Sequence, residues 1–298
     1  MSLLSRFRRQ LKTDKSKPEP PKNACNYVLL ILDSCRYDSM MSAKLTHINR
    51  LGSIEKRYSY ATWTAPSHYN LLMGLLPHPS PPNVFASTYY KQDFVRFQDR
   101  LNLPDLSFQT MLPHMWLPHH LQSVGYYTKA LVSMPVLNPH TPLAVGFDSY
   151  ELIDKHNDLM GMISKMKFHQ NRPTFYLLNT GETHYPYAPV DEPENQWPRI
   201  HGAHGVFKQL SSGVPIHQSD APQFFNHDRL KQLHQRQIRV LSWVDGALEA
   251  LFDVVPPKTF ITITSDHGEL FGENNYFGHG PINHEKVLEV PFIEGQLR

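Results

Sequence analysis

The sequence predicts an α/β fold with a mostly parallel central sheet. Three continuous apolar runs, at 26–33, 173–179 and 259–265, have the composition of strands that are buried on both faces of a sheet. Apolar residues also recur at helical spacing over 228–252, which is typical of a helix that packs on such a sheet. We therefore expect strands and helices to alternate around one core.

Shorter patterns predict the remaining elements. Residues 127–133 form a further apolar run, and helices are expected at 34–42, 69–76, 118–124 and 158–168. Proline-rich stretches favour loops, so we expect irregular structure at 77–118 and 185–227, and a loop returning to the sheet at 146–150. The early helical position of Pro66 suggests that Thr64 or Ser67 caps the second helix.

Composition and charge exclude several classes of function. The net charge is only +2 and no basic stripe interleaves with aromatic residues, which argues against a nucleic-acid partner. The chain has 2 cysteines, so it has neither a disulfide framework nor a paired-cysteine metal site. The basic N-terminus is a poor match to a signal peptide, because no apolar core follows it, and no uncharged run is long enough for a transmembrane helix to be expected. We expect a cytoplasmic protein, and its oligomeric state is left open.

The N-terminal residues differ from the rest of the chain. Residues 1–24 are basic and end in prolines, which predicts a disordered tail. As an alternative, residues 1–17 could form a short basic helix that contacts an anionic membrane surface. Nothing in the sequence marks a second domain, so residues 25–298 are expected to form a single domain.

Polar side chains follow the predicted strands at the points where the strands end. Asp33 follows the first run, His184 comes after the run at 173–179, and Asp266 and His267 follow the last run. Because the carboxyl ends of parallel strands meet at one edge of a sheet, we expect these side chains to lie close together. A polar turn is the simpler alternative for each, since serine, aspartate and glycine are common in turns.

The chemistry of these residues indicates a metal site. Carboxylates and imidazoles bind divalent cations, so Asp33, Asp266 and His267 would provide three ligands and leave a position open. The hydroxyl of Thr64, at the start of a predicted helix, could fill that position and act as a nucleophile once its pKa is lowered. His279 adds an imidazole from a glycine-flanked turn.

Nearby charged residues allow more than one interpretation. Arg36 and Asp38 are interpreted as a structural ion pair, although Arg36 could instead reach a phosphate. Glu182 is either a ligand for a second metal or a solvated loop acid.

Several ordered motifs resemble the sulfatase-like branch of the alkaline phosphatase superfamily, over about residues 27 to 294. The main motifs are Asp-Ser-x-Arg-x-Asp from Asp33 to Asp38, Trp-Thr-x-Pro-Ser-His from Trp63 to His68 followed by Leu-Leu-Met-Gly from Leu71 to Gly74, His-x-Pro-Tyr from His184 to Tyr187, and Ser-Asp-His-Gly-Glu from Ser265 to Glu269. Further matches are Gly146 to Asp148, Phe277 to Gly280 and Glu289 to Phe292.

The resemblance implies an alkaline-phosphatase-like three-layer sandwich, here without the usual C-terminal subdomain. It implies that the metal-binding residues are Asp33, Thr64, Asp266 and His267. Thr64 would also be the nucleophile, while His184 and His279 match histidines that contact the ester oxygens or protonate the leaving group. We expect one tight divalent-metal site, for zinc or manganese, with calcium or magnesium as alternatives and a second site left open.

Departures from the family pattern bear on the substrate. Sulfatases carry a cysteine or serine that is converted to formylglycine, usually with an arginine four residues later, whereas Thr64 and His68 stand at these positions. Ser34 replaces an acid that many sulfatases use as a second metal ligand. A threonine nucleophile resembles the phosphodiesterases and the phosphoethanolamine and phosphoglycerol transferases.

The expected function is a metal-dependent hydrolase of phosphodiesters or phosphomonoesters, acting through a phosphothreonine on Thr64. The substrate would be a small-molecule or headgroup phosphate ester. Three alternatives stay open: a phosphoryl transferase to an alcohol, a sulfatase-like ester hydrolase without formylglycine, and an inactive binding or scaffold protein.

Overall fold

A computed structural model of the chain describes residues 17–79, 115–198 and 226–297. The strands in these residues are β1 (Tyr27–Leu32), β2 (Glu55–Tyr58), β3 (Tyr127–Val132), β4 (Ser149–Leu152), β5 (Thr174–Thr180), β6 (Phe260–Thr264), β7 (Leu270–Phe271), β8 (Phe277–Gly278) and β9 (Glu289–Gln296). The α-helices are α1 (Tyr37–Ser42), α2 (Thr64–Leu72), α3 (Leu117–Ser123), α4 (Leu159–Lys165), α5 (His227–Val254) and α6 (Glu285–Leu288).

Seven of these strands form one sheet in the order β2-β9-β6-β1-β5-β3-β4. Strand β1 lies between β5 and β6 and is parallel to both, and β3 is parallel to β4 and β5. Only β9 breaks this direction within the sheet, since it pairs antiparallel with both β2 and β6. The α/β fold with a mostly parallel sheet is therefore confirmed, and the carboxyl ends of β1, β5 and β6 share one edge.

Helices cover both faces of the sheet. Val28, Leu30 and Leu32 of β1 belong to a buried cluster that includes Leu241 and Leu248 of α5. The alternate residues of the same strand, Leu29 and Ile31, lie in a second cluster with Leu71 and Leu72 of α2. Alternate side chains of a strand point to opposite faces, so burial on both sides explains why this run is apolar throughout.

The long helix α5 begins with a capped turn and packs along its length. The side chain of Asn226 accepts hydrogen bonds from the backbone N–H groups of Asp228 and Arg229, at 3.0 and 3.2 Å. Buried polar residues interrupt the apolar stripe of α5 at Gln237 and Asp245. Asp245 accepts from the backbone N–H groups of residues 46–48 and so holds that turn against the helix.

Some local predictions are wrong. Residues 149–150, expected in a loop, begin strand β4, because Ser149 and Tyr150 pair with Lys129 and Ala130 of β3. The sequence does not indicate strand β9. Pro291 lacks an N–H to donate to a sheet, and the segment does not alternate apolar and polar residues. Strand β2 is short and largely polar, as an exposed edge strand allows.

Other expectations fall largely outside the described residues. Residues 80–114 and 199–225 make up most of the two predicted proline-rich loops, and residues 1–16 make up most of the predicted tail. Within the described part, Lys17 forms an ion pair with Asp148. None of the described helices combines the length and the apolar character needed to cross a bilayer.

Candidate active site

The structure brings the three predicted metal ligands together at the carboxyl edge of the sheet. Asp33 follows β1, and Asp266 and His267 follow the neighbouring strand β6. Their ligand atoms all lie within 4.8 Å of one another, and all three side chains are buried. The adjacency of β1 and β6 therefore builds the site from two distant parts of the sequence.

The hydrogen bonds of Asp266 show that this set fits a divalent cation. Its Oδ1 accepts from the backbone N–H groups of Ser34 at 3.1 Å and of His267 at 3.0 Å. Its Oδ2 is buried and has no hydrogen-bond partner among the described residues. A buried carboxylate oxygen without a partner is costly, and a cation held by Asp33, Asp266 and His267 would satisfy it.

His267 is held in the form that a metal requires. Its Nδ1 donates to the carbonyl oxygen of Gly268 at 2.9 Å, which leaves the lone pair on Nε2 free. Burial lowers the pKa of His267 well below its usual value, so the imidazole is neutral. A Cβ on Gly268 would lie 2.1 Å from the carbonyl oxygen of Lys286, so no other residue fits at this turn.

The two carboxyl groups influence each other. Burial raises the pKa of the Asp33 carboxyl, but the charges of nearby histidines, His184 first, outweigh it and leave the pKa below the usual value. Burial, together with the charge of Asp33, holds the pKa of Asp266 well above its usual value. Two buried carboxylates at this spacing repel each other, and a bound cation favours the ionised form of both.

Thr64 faces the same cluster. It is the first residue of α2, it is 5% exposed, and its Oγ1 lies 3.3 Å from Nε2 of His267. The expectation that Thr64 or Ser67 caps the helix is wrong, because the cap position is Trp63 and no side chain accepts there. The Thr64 hydroxyl is thus directed at the metal-binding residues, and its carbonyl oxygen accepts from Nδ1 of His68 at 2.8 Å.

Two further histidines line the site. The ring of His279 lies 4.3 Å from that of His267 and 5.4 Å from that of His184, measured between centroids. Both His184 and His279 are partly exposed, in contrast to His267. All six residues singled out from the sequence therefore lie in one region: Asp33, Thr64, His184, Asp266, His267 and His279.

A buried acid that the sequence did not single out orients His279. Oε1 of Glu269 lies 3.1 Å from Nδ1 of His279, and Oε2 accepts from the hydroxyl of Tyr187 at 2.5 Å. Burial lowers the pKa of His279, but the hydrogen bond to Glu269 outweighs it and leaves the pKa above the usual value. The bond engages Nδ1, so Nε2 remains available to a substrate. The motif that contains Glu269 was recognised, but its role depends on this contact.

Two amides, also missed from the sequence, hold the loops that carry the site. Nδ2 of Asn179, near the end of β5, donates to Oδ2 of Asp33 at 3.1 Å. Nε2 of Gln237 donates to the carbonyl oxygens of Ser34 and Thr183, both at 2.9 Å. The available signal for Gln237 was an amide within the apolar stripe of 228–252, where a polar residue needs a buried partner.

The charged residues around the site bind other groups of the protein. Arg36 bonds both carboxylate oxygens of Asp38, at 2.8 and 2.6 Å, and Glu273 at 2.6 Å, which supports the ion-pair interpretation.

Glu182 fits neither interpretation made from the sequence. It is fully buried, bonds the hydroxyl of Thr180, and accepts from the backbone N–H of Leu159 at 2.7 Å, at the start of α4.

Glu182 should make stability depend on pH. Burial raises its pKa from 4.5 to about 7, so the folded state binds this proton more tightly than the unfolded chain does. The resulting stabilisation is complete below pH 4.5 and is lost as the pH rises through 7. Between about pH 5 and pH 8 the free energy of unfolding should fall by about 2 to 3 kcal/mol more than in Glu182→Gln. Urea denaturation measures this difference. The exposed Glu249→Gln is the control, and equal slopes for all three proteins would contradict the prediction.

Comparison with known proteins places this geometry in a family. A sulfatase family model matches residues 25–293. The chain belongs to the sulfatase family. The sulfatases belong to the alkaline phosphatase superfamily, whose members are hydrolases or transferases of phosphate or sulfate esters and depend on divalent metals. No curated protein sequence matches this sulfatase-family chain.

Solved structures share the fold at low sequence identity. The soluble domain of lipooligosaccharide phosphoethanolamine transferase A from Neisseria meningitidis has a TM-score of 0.53 at 13% identity, over 96% of this chain and 83% of that one. Phosphonate monoester hydrolase of Agrobacterium radiobacter has a TM-score of 0.53 at 14% identity, over 92% and 68%. A 2-O GAG sulfatase has a TM-score of 0.56 at 11% identity, over 91% and 64%.

The integral membrane form of the Neisseria meningitidis transferase is longer than this chain. It has a TM-score of 0.52 at 13% identity, and the match covers 99% of this chain but 54% of the transferase. The sulfatase-family chain thus spans about half the length of that protein. The likeness concerns the fold, which is alkaline-phosphatase-like in all these structures.

Proposed function

We propose that the chain is a metal-dependent hydrolase of phosphate esters that uses Thr64 as its nucleophile. One observation carries the proposal: the Thr64 hydroxyl lies 3.3 Å from Nε2 of His267, in a buried cluster with two carboxylates that fits a divalent cation. A hydroxyl beside a bound cation can serve as a nucleophile once its pKa is lowered, whereas a capping hydroxyl would face the backbone. Threonine cannot become formylglycine, which favours phosphate over sulfate esters.

Asp33, Asp266 and His267 would hold the cation, with Thr64 beside it. When bound, a divalent cation lowers the pKa of an adjacent hydroxyl and neutralises charge on phosphoryl oxygens. In the first step, Oγ1 of Thr64 loses its proton to solvent and bonds to phosphorus, and the bond to the leaving oxygen breaks. His184 donates a proton to that oxygen, so the alcohol departs neutral.

The second step releases the phosphoryl group. Deprotonated His184 accepts a proton from water as the water oxygen bonds to phosphorus, and the bond to Oγ1 of Thr64 breaks. Thr64 regains a proton, and inorganic phosphate or a monoester leaves. Throughout, His279 can donate from Nε2 to a phosphoryl oxygen in its imidazolium form, which Glu269 favours by accepting from Nδ1 and raising the pKa of the ring.

Metal analysis and turnover of para-nitrophenyl phosphomonoesters and phosphodiesters test the proposal. We expect the purified protein to bind one divalent cation tightly and to release nitrophenol when cation is supplied. A protein that binds no cation and turns over no ester in metal-replete buffer would instead be a binding or scaffold protein. Adding an alcohol such as glycerol separates hydrolysis from transfer, since transfer yields a new phosphate ester in place of phosphate.

A further inference from the structure

Trp63 is an exposed aromatic residue directly beside the candidate nucleophile. It is 50% exposed, whereas Thr64 is 5% exposed. Tryptophan is among the largest apolar side chains and is highly buried on average. A single exposed apolar side chain is unremarkable on most of a surface, so the position of this one is what requires an explanation.

The backbone holds Trp63 between two parts of the site. Its carbonyl oxygen accepts from the N–H of Ser67 at 3.2 Å, which ties it to the first turn of α2. The carbonyl oxygen of Thr62 accepts from the N–H of Gly280 at 3.2 Å, which ties the preceding residue to the turn that carries His279. The backbone of residues 62 and 63 therefore lies at the rim of the site, between Thr64 and the turn that carries His279.

The geometry of phosphoryl transfer decides which part of a substrate lies near this rim. The nucleophile and the leaving group lie on opposite sides of the phosphorus atom, roughly in line. The leaving group therefore points away from Thr64, and the retained substituents surround the phosphorus between the two. A side chain on the neighbour of the nucleophile reaches a retained substituent before it reaches the leaving group.

Monoesters and diesters differ in these retained substituents. In a phosphomonoester every retained substituent is a bare oxygen, which offers no apolar surface to an indole. In a phosphodiester one of them carries an organic group. A flat apolar group there could stack on the indole and remove apolar surface of both from water.

We infer that Trp63 binds the retained organic group of a phosphodiester substrate and selects diesters in which that group contains a flat ring. The inference rests on the proposed function and narrows its substrate class from phosphate esters in general to ring-bearing diesters. It makes Trp63 a specificity-determining residue, separate from the residues that act on the phosphoryl group.

Two diesters with the same leaving group test the inference. Phenyl para-nitrophenyl phosphate and methyl para-nitrophenyl phosphate both release nitrophenol and differ only in the retained group. With wild-type protein loaded with metal, kcat/KM should be higher for the phenyl diester. Trp63→Ala should lower the phenyl-to-methyl ratio about tenfold, which corresponds to the stacking of one aromatic face. Trp63→Phe keeps a flat ring and should restore most of the ratio.

A matched control and a binding measurement separate the possible outcomes. Met41→Ala removes a side chain on α1 that is 54% exposed and should leave the ratio as in wild type. An unchanged ratio in Trp63→Ala, or an equal loss for both diesters, would overturn the inference. Calorimetric binding of phenylphosphonate and methylphosphonate gives the same ratio without turnover. If wild type hydrolyses para-nitrophenyl phosphate but neither diester, the inference is overturned while the proposed function stands. If it hydrolyses none of the three esters, the proposed function fails. The role of Trp63 then stands only if Trp63→Ala selectively weakens phenylphosphonate, and it is overturned if the protein binds neither phosphonate.

Discussion

Thr64→Ala is expected to lower kcat/KM for phosphate esters by at least about a thousandfold, because it removes the atom that bonds to phosphorus. The methyl group lost is small, and Thr64 makes no capping bond, so the fold should be kept. Acid-quenched wild-type enzyme should carry one phosphoryl group on the peptide that contains Thr64. The variant should carry none.

Two measurements make the Thr64 result specific. Thr64→Ser keeps a hydroxyl at the start of α2 and should retain much of the activity, whereas Thr64→Val keeps the shape and should be as inactive as the alanine variant. Metal content should stay close to that of wild type, because Asp33, Asp266 and His267 are intact. Full turnover by Thr64→Ala would show that another group, or water, attacks the ester.

Asp266→Asn is expected to weaken metal binding by at least about a hundredfold and to remove activity with it. The amide has no negative charge, yet its oxygen can still accept from the N–H groups of Ser34 and His267. Substitution also removes the repulsion between two buried carboxylates. The metal-free variant should therefore be at least as stable as metal-free wild type, although it cannot be stabilised by added cation.

Melting temperature with and without chelator measures both effects. Added cation should raise the melting temperature of wild type, because a ligand that binds the folded state stabilises it, and should not raise that of Asp266→Asn. Asp245→Asn is a matched control, since Asp245 is also buried and also accepts backbone N–H groups. It should destabilise the fold and leave metal affinity unchanged. Equal metal affinity in wild type and Asp266→Asn would show that the cation is held elsewhere.

The core strands could be predicted because the composition of each strand segment alone indicates that the strand is buried. Strands β1, β5 and β6 are covered on both faces, so each is an apolar run with a polar residue where the strand meets the edge. Adjacent carboxyl ends then follow from the geometry of a parallel sheet. Strand β9 could not be predicted in this way, since it contains Pro291, which pairs with Lys56 of β2, and since both of its partner strands are distant in sequence.

The site residues that were missed act through tertiary contacts. Glu269 has a defined role only because Tyr187 and His279 reach its two oxygens. Gln237 lies on a helix and is identified only by the two loops whose carbonyl oxygens it binds. Glu182 was interpreted as a metal ligand or a solvated acid because it lies in a predicted loop. The structure instead buries its side chain against the backbone at the start of α4.

During synthesis, β1 leaves the ribosome long before its neighbour β6. Ser34 and Asp266, which share a hydrogen bond, lie 232 positions apart, so at usual translation rates roughly 10 to 50 seconds separate their emergence. In that interval Asp33 lacks the second carboxylate and the imidazole that complete the cation site. On the proposed function, a nascent chain would therefore bind no cation before β6 docks, and metal uptake would mark the docking of β6 into the sheet.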